Sequence, residues 1–225
     1  MSSKVAGALM STVFISFYVG AQTLFDFENA PAHSPLPLSL TVDGITAQFS
    51  ATGQGFSIQP AATMGFTPAG FSGNCIYPSS VFASDLDISF SESLSRLSIL
   101  CAPQELACDS SARMRVTAFM DGTQVGTATM TADPPGTWPS ATLAISVPEG
   151  FNRVVVHYDA PPPTGGDWGP IFMADNLAVS VVPEPGTVAL LGLGIVGAYM
   201  RFNRSKRRER RGKETVVASG ISPDV

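Results

Sequence analysis

The chain has 225 residues, thirteen Lys and Arg against eighteen Asp and Glu, and a formal net charge of −5. That charge is unevenly spread: eight of the thirteen basic residues lie between Arg201 and Lys213, while Gln22 to Val181 holds fourteen carboxylates and only four arginines, near −10. Such a surface argues against nucleic acid, which binds through positive charge that displaces counterions, and 21 Gly with 18 Pro argue against a helical domain.

Lys4, the uncharged apolar stretch Val5–Val19 and the small residues Val19, Gly20 and Ala21 have the build of a secretory signal peptide over 1–21. Cleavage after Ala21 by signal peptidase would leave Gln22 as the first mature residue. An uncleaved anchor is the alternative, and either one exports the chain. The segment 22–181, about 160 residues, is one domain by length and long enough to bury a core.

Thr23–Glu28 alternates apolar and acidic residues and predicts the first strand. Leu38–Phe49 breaks at Asp43-Gly44, a hairpin signal. Ala51–Ser80 is rich in Gly, Pro and aromatics with weak periodicity, and is expected to be a long loop. Asp87–Phe90 and Arg96–Leu100 follow as strands. Met114–Phe119 leads through Asp121-Gly122 into Gln124–Met130, a second hairpin. Ala141–Val147, Phe151–Tyr158 and Ile171–Val181 complete the set. No segment of the mature domain has sustained helical periodicity. Short strands at regular spacing predict an all-β domain, an antiparallel β-sandwich of eight or more strands, jelly-roll-like in form.

Three cysteines, Cys75, Cys101 and Cys108, suit an oxidising compartment. Cys101 and Cys108 flank a short polar excursion and are the expected disulfide, although Cys75 can pair with either. Catalytic signatures are absent: no Gly-x-Ser-x-Gly elbow, no phosphate-binding glycine loop followed by Lys, no His-Glu-x-x-His helix. The chain is therefore expected not to be an enzyme. A glycan hydrolase would need two carboxylates within about 10 Å of each other in a cleft.

No cofactor is required, but one constellation suits a structural Ca²⁺. First and last strands of a sandwich can be neighbours, which would bring Asp26 and Glu28 near Asp175 and Asn176, a set of hard oxygen ligands. Alternatively these acids are the solvent face of edge strands. For sugar binding, Trp168 with Asp167 in a Gly-rich loop is the better stacking candidate, ahead of Trp138. The structural alternative is that each tryptophan caps the sandwich core.

Val182, Pro183, Glu184 and Pro185 form a turn that stops regular pairing. Behind it the uncharged run Val188–Met200 and the basic cluster ending at Lys213 follow. About fifteen helical residues rise roughly 22 Å, short of the roughly 30 Å hydrocarbon layer. A short membrane helix would need bilayer thinning or snorkelling arginines; a buried core helix is the alternative. Positive charge on the inside puts the arginines in the cytoplasm, followed by a disordered tail over 214–225, and everything before Val182 outside.

The order of turn, Leu/Gly-rich helix and arginine block closely resembles the PEP-CTERM sorting signal of exported bacterial proteins, here over 182–213. The resemblance implies transient anchoring in the inner membrane and processing near the Pro-Glu-Pro turn by an exosortase. The landmarks Phe25–Glu28, Val116–Val125 and Ala174–Leu177 also resemble β-sandwich domains found upstream of such signals. Those domains are similar to galactose-binding-like and other carbohydrate-binding jelly rolls, which often hold structural calcium through first- and last-strand acids. The expectation is an envelope or extracellular-matrix protein with a structural or adhesive role linked to exopolysaccharide or biofilm. A carbohydrate-binding module with structural calcium is the alternative, and a matrix glycan hydrolase the third reading.

Overall fold

The computed structural model describes residues 21–53, 55–63, 65–79, 84–103, 113–132, 138–159 and 171–182, and helical residues 192, 194–197 and 199–202. Residues 1–20 of the expected signal peptide 1–21, Pro183 to Pro185, Asp167, Trp168, Cys108 and the tail 214–225 lie outside these. The chain divides into two units, Met1–Val181 and Val182–Val225.

The first unit is built from ten antiparallel strands: β1 Thr23–Phe25, β2 Leu38–Val42, β3 Ile45–Ala51, β4 Phe56–Pro60, β5 Asn74–Pro78, β6 Leu86–Pro103, β7 Arg113–Met120, β8 Thr123–Thr131, β9 Ala141–Tyr158 and β10 Phe172–Val181. Both Asp-Gly hairpins form where expected. Asp43 and Gly44 have φ of +49° and +82°, and Asp121 and Gly122 have +49° and +85°. Paired positive φ values give a turn whose twist matches that of the flanking strands.

Two 18-residue strands, β6 and β9, organise the sandwich. The first part of β6 pairs with β3, its second part with β10, and β9 follows it along both. One layer is thus β2-β3-β6-β9-β7-β8; the other is β4-β5-β10-β6-β9, with β1 also on β10. The ladder between β6 and β9 slips between Ser89 and Arg96, and the inward positions change parity there. Leu86 and Ile88 face the core before the slip, Leu97, Ile99 and Cys101 after it. A bulge adds one residue and so exchanges the two faces of a strand. The sequence reading had split each long strand in two, because Ser91–Ser93 and Pro148–Gly150 interrupt the apolar alternation.

The stretch expected to be a loop over 51–80 contains β4 and β5, which is a correction. Cys75 and Ile76 are adjacent and both fully buried. A strand covered on both faces shows no alternation, so its period cannot be read. Ile76, Ala174 and Cys101 point into the main core, whereas Cys75, Met173 and Ala102 point the other way, into a second cluster with Phe71, Ala61, Ile171 and Trp138. In the main core Phe49 meets Phe25 and Phe27 edge-on, with ring centroids 6.2 and 5.2 Å apart, and Phe56 meets Phe172 at 5.1 Å. Each such ring contributes roughly 1.5–3 kcal/mol through burial.

In the second unit the helical residues include Ile195, Val196, Tyr199, Met200 and Phe202, all exposed large hydrophobics. No helix among the described residues is long and apolar enough to cross a membrane.

Candidate functional site

The acidic corner forms where β1 meets β10. Antiparallel pairing of Phe25 with Leu177 sets the turn after β1 beside Asp175 and Asn176. Phe27 (φ +61°) turns the chain, and the Glu28 N–H donates to Asp26 Oδ1 at 3.2 Å, so β1 ends at Phe25 rather than at Glu28 as expected. Asp175 is 1% exposed. Its Oδ1 accepts the Asn176 N–H at 2.7 Å and its Oδ2 the Ser72 N–H at 3.4 Å. Asn176, at φ +50° within the β10 irregularity, donates from Nδ2 to the Gly70 carbonyl at 3.3 Å. Burial pushes the Asp175 carboxyl up from 3.8 to about 6; the two amide donors hold it down in part, and Glu28 and Asp26 push it further up. The Glu28 carboxylate occupies the space a side chain at Gly73 would need.

All four residues expected to gather around a cation therefore meet at one corner. Among the described residues, however, no group of three or more His, Cys, Asp or Glu is arranged to hold a metal ion. Both Asp175 oxygens and one Asp26 oxygen are already taken by backbone donors.

The second feature was missed by the sequence reading. On the outer face of the β10-β6-β9 layer, a groove of about 320 Å³ is lined by Gln22, Arg96, Ser98, Ala144, Ser146, Ala178 and Ser180 with Leu97 and Ile145. Strand register explains it: Ala178, Ser98 and Ala144 form one row across three strands, and Ser180, Arg96 and Ser146 the next. Outward side chains this small leave the face hollow, with one guanidinium between two serines. Arg115 and Arg153 are held by Asp159 and Asp87, whereas Arg96 has no ion-pair partner among the described residues. One strand's share of it is written in the sequence, since outward positions of Ala141–Val147 alternate as Thr142, Ala144 and Ser146.

Trp138 is 6% exposed and sits in the second cluster, so it offers no stacking platform. Cys101 is a fully buried free thiol whose pKa burial raises, and Cys75 is a buried free thiol pushed up to about 12 by burial and then by Asp175 and Glu28. Ala21 and Gln22 are exposed just before β1, and Val182 follows β10.

Among solved structures, the chain is similar to the following three. The K1 cleaved adhesin domain of Lys-gingipain from Porphyromonas gingivalis W83 is 20% identical, with 72% of this chain and 99% of that one covered, at a TM-score of 0.42. The K2 cleaved adhesin domain of Lys-gingipain is 12% identical, covering 72% and 100%, at 0.46. A family 29 carbohydrate-binding module is 13% identical, covering 71% and 89%, at 0.35. No curated protein matches the chain. The PEP-CTERM protein-sorting motif matches residues 181–208. The chain carries that sorting motif, which indicates an exported protein anchored transiently in the membrane and implies an exosortase as its processing partner.

Proposed function

We propose that the exported sandwich is a non-catalytic binding domain with a structural or adhesive role, and that its ligand is a carbohydrate polymer of the envelope or extracellular matrix. The observation that carries this reading is the groove around Arg96. Serine hydroxyls and a guanidinium with no ion-pair partner among the described residues supply donors suited to sugar hydroxyls, and the guanidinium adds a bidentate partner for an acidic substituent. Around it the domain is strongly acidic, so Arg96 is a local exception that favours a sugar carboxylate at that point and neutral residues on either side.

Affinity electrophoresis of the protein through gels containing an acidic or a neutral polysaccharide tests this. Retardation by the acidic polymer should fall about tenfold for Arg96→Ala, the loss of one charge-assisted contact. Equal retardation of both proteins contradicts the reading.

Calcium at the acidic corner is a second reading, favoured by the mutual repulsion of Asp26, Glu28 and Asp175. Binding would require Glu28 and Asp26 to turn toward Asp175, with carbonyls of the 70–73 loop completing the oxygen set. A Tm that rises with millimolar Ca²⁺ and falls back with chelator, and that no longer responds in Glu28→Gln, is the expected result. An unchanged Tm sinks it.

A further inference from the structure

We propose that β8 is a self-association edge, pairing antiparallel with β8 of a second copy of this chain. A strand at the end of a sheet exposes a row of unpaired N–H and C=O groups, and soluble proteins guard such edges by shortness, charge, proline or a covering segment. Most edges of this sandwich are guarded in those ways. Along β4, the His33 and Leu36 N–H groups donate to the Ile58 and Phe56 carbonyls and the Ile58 N–H donates to the Ser34 carbonyl, at 2.7–2.9 Å. β1 and β2 have three and five residues. The free side of the first half of β9 runs into Pro148 and Glu149.

Among the described residues β8 has none of these guards. It is nine residues long, Thr-Gln-Val-Gly-Thr-Ala-Thr-Met-Thr, without charge or proline, and among the described residues it pairs only with β7. Its one irregularity is at Val125, beside the turn; Gly126–Thr131 pair without a break with Ala118–Arg113.

The composition of the strand selects the partner. A domain near −10 repels its own copies over most of its surface, whereas along β8 two copies meet no like charges. Centring the two-fold on Thr129 sets Thr127 opposite the partner's Thr131, Thr129 opposite itself, and Ala128 opposite the partner's Met130. Threonine pairs on one face are favourable cross-strand neighbours, and half-buried apolar residues meet on the other. Such an interface is isologous, so it closes at a dimer and does not propagate.

Sedimentation of the full chain in detergent micelles tests the proposal. The wild type should be a dimer that dissociates on dilution. Thr129→Lys, at an exposed position, should weaken the dimer by tenfold or more through like charges at the two-fold. Mixing Thr129→Lys with Thr129→Glu should restore a heterodimer. Amide exchange of the wild type should slow across residues 126–131 as its concentration rises, a readout that needs no variant. A wild type that remains monomeric, a Thr129→Lys dimer as tight as the wild type, or unchanged exchange at 126–131 would each overturn it. A mixture that stays monomeric overturns the Thr129 register.

Discussion

Asp175 holds a negative charge almost out of contact with water, and the consequence is a pH dependence with a definite sign. Its folded pKa, about 6, lies above the ordinary 3.8. The fold therefore favours the protonated acid: the stability this group contributes is fully present below pH 3.8 and is lost as pH rises through 6. A shift of this size corresponds to about 3 kcal/mol. Urea unfolding at a series of pH values should show wild-type stability falling between pH 4 and pH 6 relative to Asp175→Asn, which cannot ionise. Parallel pH profiles for the two proteins would remove Asp175 from the account. Of the corner, the juxtaposition was legible in the sequence, because acids at both ends of a sandwich can meet when first and last strands pair. The occupancy of the Asp175 oxygens by the Ser72 and Asn176 amides was not, since it depends on the path of the 70–73 loop.

At the scale of the elements, spacing between the layers is set at Gly126 of β8. A β-carbon there would lie 2.9 Å from the Val147 methyl and 3.4 Å from Ile145 of β9. Gly126→Ala is expected to destabilise by about 1–3 kcal/mol through overpacking. Gly122→Ala, at φ +85° with open space around it, should act only through backbone strain, by about 1 kcal/mol. Chemical denaturation separates the two: adding Val147→Ala should rescue Gly126→Ala in part and leave Gly122→Ala unchanged. Elements were legible where one face is wet, as in both Asp-Gly hairpins and in Ala141–Val147. They were illegible where both faces are covered, as in β5, and where a slip exchanges faces within one strand, as in β6 and β9. The Arg96 groove falls in the same class, because three strands contribute to it and their register is not written in any one of them.

For the whole molecule, the two ends of the sandwich matter most. Thr23 pairs with Val179, so Gln22 and Val182 leave the domain at the same end. The groove, which includes Gln22 and Ser180, lies at that same end of the domain. The sorting motif at 181–208 indicates export with transient anchoring in the membrane. The most direct test is the intact mass of the protein from its native host, secreted fraction against membrane fraction. The account predicts a secreted form that begins at Gln22 and ends near Pro185, without the basic cluster. A secreted form still carrying the residues through Val225 would contradict it.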